Sequence, residues 1–338
     1  MSIQETNLKA IADAIRAKLG TTDAIKASQF ATKIGEISTG AAKPSWVQST
    51  LPADALWTSV CYGDGKFVAV ASESSIAAYS TDGVNWAQTT MPSSSDWTSV
   101  CYGNGKFVAI TGGNSVNGSS VAAYSTDGIT WTSATMPGSR MWSSVCYGNG
   151  KFVAVCENAI LSAYSSDGIT WTSMRLPISG DWHAVDYGNG KFVAVNRGTS
   201  IGAYSTDGVN WTQTTMPSSN NWQAVSYGNG RFVVYGSDAA AYSTDGINWT
   251  QTTLPIVDHD VFGPGCYGNG KFVSMNSAYG VAAYSTDGVT WTRMSTVETD
   301  GWHFVCCGDG RFVAIANTEN IGPHSVAAYL KDSFDEWA

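Results

Sequence analysis

The chain has 338 residues, a formal charge of −9 and only 13% charged residues, with 36 Gly, 14 Trp and 15 Tyr. Such a composition is that of a turn-rich all-β protein, and it excludes a disordered chain or a long helical one. The first 43 residues are slightly positive and the rest is acidic with no basic run, which argues against nucleic acid or an anionic membrane surface as partner.

The opening "MSIQETNLKA" lacks the apolar core of a secretory signal, and no apolar run approaches membrane-spanning length. In "LKAIADAIRAKLG" the residues Leu8, Ile11, Ile15 and Leu19 form one helical stripe, which Gly20 stops. "SQFATKIGEI" predicts a second short helix, with Ser28 as N-cap and Phe30, Ile34 and Ile37 facing inward. Two helices of this size bury too little surface to stand alone. Residues 1–37 are therefore expected to be an attachment or oligomerisation module that uses 6–37 to pair with copies of itself or dock on another protein. "STGAAKPS", residues 38–45, reads as a linker.

From residue 46 onward two phrases alternate with a period of about 40 residues, and a repeat of that length decides the fold before any site is considered. One phrase is "AYSTDGxxW", beginning at Ala78, Ala123, Ala163, Ala203, Ala241 and Ala283, with a degraded copy from Ala328. The other is "YGNGKFVAV", beginning at Tyr62, Tyr102, Tyr147, Tyr187, Tyr227 and Tyr267 and ending as "CGDGRFVAI" from Cys307. Each copy holds four alternating apolar and polar runs, and Gly-Asn-Gly or Gly-Asp-Gly joins the first two in a tight hairpin. Four antiparallel strands repeated seven times predict a seven-bladed β-propeller over residues 46–338. "SWVQSTLP" at 45–52 matches the fourth strand of a copy, while the last copy ends without one. The N-terminal strand is thus expected to complete the last blade and remove the free sheet edges.

The turns inside each hairpin have constant length, except at the closing copy, where the second is one residue longer. The link between second and third strands varies, being shortest from Phe232 to Tyr242 and longest from Phe107 to Tyr124 and from Phe312 to Tyr329. The link from one copy to the next varies too, and both lie on one face of an up-and-down blade. Function on a rigid β scaffold sits in such loops. Candidate ligand contacts there are the tryptophans that open six copies, Trp57, Trp97, Trp142, Trp182, Trp222 and Trp302, as a platform for sugar rings. Packing between blades is their competing and favoured assignment. The two long loops add Asn114, Asn117, Asn320 and His324. "DHD" at 258–260 reads as a solvated loop, and His183 and His303 as polar loop residues. No metal and no cofactor are expected.

Five of the seven cysteines (Cys61, Cys101, Cys146, Cys266 and Cys306) share one place in the repeat, where the other copies have Asp186 and Ser226. Replacement by Asp or Ser is not the pattern of a disulfide framework, so these are expected to be buried free thiols made in a reducing cytosol. Of Arg140, Arg175, Arg197, Arg231, Arg293 and Arg311, the pair Arg231 and Arg311 replaces the Lys of "GK" and the rest fall at unrelated places, so no converging cluster is expected. No carboxylate pair stands out either. No catalytic residues are expected, and the chain is not expected to be an enzyme.

The phrase "SxDGxxW" resembles the Asp-box of sialidase-like propellers, one residue shorter between Asp and Gly. The resemblance implies a structural turn built by Ser80, Asp82 and Trp86, by Ser125, Asp127 and Trp131, and by Ser205, Asp207 and Trp211, and it implies fold rather than activity. "IADAIRAKLGTTDAIKASQFATKIGEI" resembles N-terminal segments of bacteriophage tail fibre and adsorption proteins, over about a tenth of the chain. That resemblance implies a virion-attachment module with the propeller displayed beyond it. The expected function is a tail-associated adhesin, made in the bacterial cytoplasm and carried on the virion, which binds a bacterial surface glycan through its variable loops. The alternatives are a tail decoration without a ligand and a polysaccharide-degrading glycosidase.

Overall fold

The computed structural model describes residues 45–113, 117–237, 239–255, 262–276, 280–296, 301–316 and 324–331. The expected N-terminal helices, residues 258–260, Asn114 and Asn320 lie outside them. One compact unit runs from Trp46 to Lys331, and the description below concerns that unit.

Each hairpin forms where the sequence carries Asn-Gly or Asp-Gly. Asp64 and Gly65 take φ of 46° and 71°, and Asn149 and Gly150 take 44° and 75°. Two successive positive φ values define the tight turn whose twist matches the flanking strands. Among the described residues twenty-seven strands result, and no helix is long and apolar enough to cross a membrane.

The longest strand is β1 (Ser45–Gly63), followed by β2 (Lys66–Ser72), β3 (Ser74–Ser80) and β4 (Ala87–Ser95). Next come β5 (Trp97–Gly103), β6 (Lys106–Thr111), β7 (Ser119–Ser125) and β8 (Thr132–Arg140), forming one four-stranded sheet. A second comprises β9 (Trp142–Gly148), β10 (Lys151–Cys156), β11 (Ala159–Ser165) and β12 (Thr172–Gly180). The third has β13 (Trp182–Gly188), β14 (Lys191–Asn196), β15 (Thr199–Ser205) and β16 (Thr212–Asn220). A fourth contains β17 (Trp222–Gly228), β18 (Arg231–Gly236), β19 (Ala240–Ser243) and β20 (Thr250–Thr252). The fifth is β21 (Phe262–Gly268), β22 (Lys271–Asn276), β23 (Val281–Ser285) and β24 (Thr292–Ser295). Finally β25 (Trp302–Gly308), β26 (Arg311–Ala316) and β27 (His324–Lys331) join the beginning of the chain, in the order β25-β26-β27-β1-β2-β3-β4. Strand β1 therefore serves two neighbours. Its C-terminal half pairs with β2 from Leu56 to Gly63, and at its N-terminal end Trp46 stacks on Trp302 with centroids 6.4 Å apart.

The first strands, β1, β5, β9, β13, β17, β21 and β25, line a common axial cavity of about 1040 Å³. Second strands are buried along nearly their whole length, as the runs "KFVAV" require for strands covered on both faces. Between successive sheets one contact recurs. The glycine that ends each first strand faces a side chain of the next, an aromatic ring in all but one case, and a Cβ on Gly148 would sit 2.0 Å from Cγ of Tyr187. The same holds for Gly63 against Tyr102, Gly103 against Tyr147, Gly188 against Tyr227 and Gly228 against Tyr267, while Gly268 meets Cys307 and Gly308 meets Tyr62.

On the opposite edge of each sheet the "STDG" turns hold themselves. The Gly83 amide donates to the Ser80 hydroxyl at 2.8 Å, and the Val84 and Asn85 amides donate to Oδ1 of Asp82 at 2.9 and 2.8 Å. Equivalent bonds join Ser125 to Gly128, and Asp127 to Ile129 and Thr130, and they recur at Ser205 and Asp207. The box tryptophans pack on the phenylalanine of the second strand, as Trp86 does on Phe67 with centroids 6.5 Å apart and Trp211 on Phe192 at 6.4 Å. Trp131 is buried in a cluster that also holds Val68 and Phe107.

Two measurements follow from these contacts. Gly148→Ala is expected to cost roughly 1–3 kcal/mol, the usual cost of overpacking, and to lower the urea midpoint; an unchanged midpoint would show that the seam yields. The second concerns acid. Burial alone would raise the Asp127 carboxyl, but the Thr130 and Ile129 amides and the Ser125 hydroxyl outweigh it and hold the group at about 2. Asp82, Asp167, Asp207, Asp245 and Asp287 are lowered for the same reason. Groups depressed below an unfolded value of about 3.9 contribute stability present above that pH and lost below it. These turns should therefore take nothing from the melting temperature above about pH 4 and lower it between there and pH 2; a flat profile over that lower window would contradict the reading.

Candidate functional site

The axial cavity opens on the face of the variable links, and the strand that begins each sheet sets what meets the opening. A β-bulge follows the opening tryptophan in most first strands, as the register shifts between Trp57 and Ser59, Trp97 and Ser99, and Trp182 and Ala184 show. Such a bulge re-aims the side chains on either side of it. The tryptophan goes into the seam between sheets and the next residue lines the cavity. Trp57, Trp97, Trp142, Trp182, Trp222 and Trp302 are all 0% exposed. Several indoles are also spent on the backbone: Nε1 of Trp57 donates to Ala53 O at 3.3 Å and that of Trp142 to Ser119 O at 3.0 Å. The expected sugar-stacking platform is corrected accordingly, because no ring face is presented. Of the loop candidates, Asn117 is exposed and does not line the cavity, and His324 opens β27.

The residue after the tryptophan is a small hydroxyl in three copies, where it ties neighbouring sheets together. Thr58 donates to Trp97 O, Thr98 to Trp142 O at 2.7 Å and Ser143 to Trp182 O at 2.6 Å. A residue further on, Ser59, Ser99 and Ser144 accept from the amides of Val100, Val145 and Val185 at 3.1, 3.2 and 3.3 Å. Strand β13, like β17 and β25 after it, abandons both devices: it has His183 and Ala184 at these places. It compensates one step later, where Asp186 stands in place of the cysteine and its Oδ2 accepts from the Tyr227 amide at 2.9 Å.

A second departure meets the first. In the links between second and third strands, the residue after the ladder is Ser72, Gly112, Glu157, Arg197 and Ser237 in successive copies. The Glu157 amide donates to Met141 O at 2.9 Å and the Arg197 amide to Asp181 O at 2.8 Å, as Gly112 does to Asp96 O at 3.0 Å, so these positions are equivalent. At the seam before β5, the Ser72 hydroxyl and the Glu73 amide donate to Oδ1 of Asp96 at 3.4 and 3.3 Å. At the seam before β13, Asp181 occupies the place of Asp96 and Glu157 that of Ser72. A carboxylate faces a carboxylate where the scaffold has a hydroxyl and an acceptor.

Nδ1 of His183 lies 3.3 Å from Oε1 of Glu157, within ion-pair distance but without the angle of a hydrogen bond. One ligand atom from each of Glu157, Asp181 and His183 lies within 4.8 Å of the others, a set of one nitrogen and two oxygens able to hold a metal ion. The His183 imidazole lowers the Glu157 carboxyl against the opposing effect of burial, with a smaller contribution from Arg197. Burial, and then the charge of Glu157, raises Asp181. Oδ1 of Asp181 and Nδ1 of His183 are buried and have no hydrogen-bond partner. Glu157, His183, Arg197, Gln223 and His303 all line the cavity. From the sequence His183 and His303 read as loop residues, and Glu157 and Asp181 carry no mark of their own. Aligning the residues beside each opening tryptophan, copy against copy, is the signal that would have found them.

Deeper in the cavity the thiols of Cys61, Cys101, Cys146, Cys266 and Cys306 line the wall, and burial pushes each well above the usual value near 9. They are protonated, and all seven cysteines are free.

No protein-family profile matches the chain, and no curated protein resembles it in sequence. Solved structures do resemble its fold, which is that of a β-propeller. Virginiamycin B lyase from Staphylococcus aureus superposes with a TM-score of 0.74 at 9% identity, covering 86% of this chain and 100% of that one. YCF48 bound to a D1 peptide gives 0.66 at 16% identity, covering 87% and 96%. The WD40 propeller domain of Doa1 gives 0.64 at 12%, covering 88% and 100%. Identities this low show the fold alone. The expectation that the chain is not an enzyme is nonetheless corrected, because the similar structures include streptogramin B and virginiamycin B lyases. This architecture carries catalysis in other proteins and gives no ground for excluding it here.

One pH effect follows from the axial wall. Burial raises the Asp186 carboxyl to about 6, although the amides of Tyr187 and Tyr227 donate to it. Raised above its unfolded value of about 3.9, this group contributes stability present below about pH 4 and lost as pH rises through 6. Asp186→Asn keeps an acceptor for the Tyr227 amide and removes the buried charge. Its melting temperature should exceed that of the parent by roughly 2–4 °C at pH 8, the response to about 1 kcal/mol, and match it near pH 4. An equal gain at both pH values would rule out charge burial as the cause.

Proposed function

We propose that the chain is a seven-bladed propeller whose variable-face opening of the axial cavity recognises a ligand, and that it serves as the receptor-binding part of a phage tail adhesin. The blade count is supported by five four-stranded sheets plus one seven-stranded sheet in which β1 belongs to two blades. It is further supported by the glycine–side-chain contacts, which return from Gly308 to Tyr62 after seven steps. The ligand reading is carried by one observation: Glu157, His183 and Arg197 meet in one sector of the opening, beside β13, where the first two copies hold Ser, Thr or Gly. The hydroxyl bonds made by β1, β5 and β9 are not made by β13, and such a departure from a repeat marks a candidate functional place.

With the tryptophans sealed in the seams, recognition falls to polar groups: Arg197, Gln223 and His303 beside Glu157 and His183 suit a hydroxyl-rich glycan. The phage placement is supported by the likeness of the first forty residues to tail-protein N-termini. Several copies on one particle would strengthen weak single-site binding. A second reading, cleavage of a glycan at the same opening, is supported by the adjacent Glu157 carboxylate and His183 imidazole.

The test is binding of the full chain to a panel of bacterial surface polysaccharides, beside Arg197→Ser and Gln223→Thr, each of which restores a residue type found in other copies. Saturable binding that both substitutions weaken by roughly tenfold, about 1.4 kcal/mol, with fold retained, is the expected result. Binding that neither affects would move the site away from this opening. Shortened polysaccharide in the same mixtures would favour cleavage, and no binding across a panel containing the host would favour a decoration protein.

A further inference from the structure

We propose that Glu157, Asp181 and His183 form a site for one divalent transition-metal ion of the zinc class at the variable-face opening of the axial cavity. The site is argued from these residues alone and holds whatever ligand the opening takes.

Three observations carry it. The first is geometry: the donor atoms lie within 4.8 Å of one another, and the His183–Glu157 pair is already at 3.3 Å. Donors bound at about 2.0–2.2 Å to one zinc ion stand about 3–4 Å apart, so movements of about 1 Å close the set. The second is unmet bonding. Oδ1 of Asp181 is a buried acceptor without a hydrogen-bond partner, and Nδ1 of His183, set against the Glu157 carboxylate, makes no hydrogen bond either, a costly arrangement that a cation in place of the imidazole proton relieves. The third is the comparison between copies. Where Ser72 satisfies Asp96, Glu157 confronts Asp181, and two like charges in a half-buried site call for a positive partner. Arg197 is close enough to favour both charged forms, yet among the described residues it makes no ion pair with either carboxylate.

The donor set selects the ion. One imidazole with two carboxylates suits zinc, manganese or cobalt, whereas calcium takes six to eight oxygens and magnesium keeps most of its water. Three protein donors leave coordination positions open toward the cavity, as in metal sites that bind a further group. The buried thiols deeper in the wall are a separate and softer set.

The experiment is a titration of the full chain with cobalt(II) and zinc(II), following the cobalt absorption spectrum, stoichiometry and melting temperature. It is repeated on Glu157→Ser and His183→Thr. Both variants restore what other copies carry at those places, Ser72 and Thr58, and should fold at least as stably as the parent. One ion per chain is expected, without thiolate-to-cobalt charge-transfer absorption, and with binding weakened by at least about 100-fold in each variant, as loss of a direct donor exceeds the effect of outer-shell changes. Ligand binding to the native state should also raise the melting temperature of the parent but not of the variants. Binding unchanged in both folded variants, a thiolate spectrum, or no binding at millimolar metal would each overturn the proposal. Should one variant fail to fold, the other decides alone.

Discussion

The structure depends on a close approach between sheets at the end of each first strand. A glycine there brings its backbone against the ring of the following tyrosine, with 2.0 Å left where a Cβ would stand at Gly63, Gly103 and Gly148. No other residue permits that distance, so "YG" sets the spacing between adjacent sheets before any core side chain is chosen. The tyrosine that fills the space also lies 4.7–4.8 Å from the phenylalanine of its own second strand, as Tyr102 does from Phe107 and Tyr147 from Phe152. One short phrase thus fixes a turn, a ring pair and a seam, and repeating it fixes the fold. The hydroxyls of Thr58, Thr98 and Ser143 then lock the same seams at the other end of the strands.

A scaffold this repetitive makes its exceptions informative. Each copy answers the same local problem, so a residue that departs from the solution of β1, β5 and β9 is a candidate for a role beyond folding. Strand β13 discards two: His183 cannot supply the hydroxyl bond, and Ala184 cannot accept the amide that Ser144 accepts from Val185. Asp186 partly mends the seam from inside the cavity, and burial raises its pKa. The change begins at β13, where Glu157 arrives from the preceding copy, and Gln223 and His303 continue it in later copies.

Much of the architecture was legible in the sequence, because hairpin turns, strand alternation and the match between "SWVQSTLP" and the fourth-strand phrase are local or one-dimensional signals. The shared strand β1 follows from that match. The opening tryptophans were harder. Alternation alone leaves open whether Trp57 faces the axis or the seam, and the bulge between Trp57 and Ser59 that decides it has no sequence mark of its own. The site was not legible for a different reason. Glu157 and Asp181 meet across two sheets, and nothing in either segment shows that the place of one is the place of the hydroxyl serving the other's counterpart, Asp96.

The position of the departures also constrains what a ligand can contact. Residues on second strands are buried, the box turns are committed to their own amides, and the glycine–aromatic contacts leave no room at the far ends of the first strands. Side chains with latitude to change are therefore those at the start of each link, and those beside the tryptophans in copies that do not use the hydroxyl bond. These are the places where Glu157, His183 and Arg197 stand. The rigidity that makes the repeat tolerant of sequence change in its links confines function to the same links, and a ring of near-identical sheets offers several such places. Glu157, His183 and Arg197 bring charge to one sector of that ring, so the opening is not symmetric.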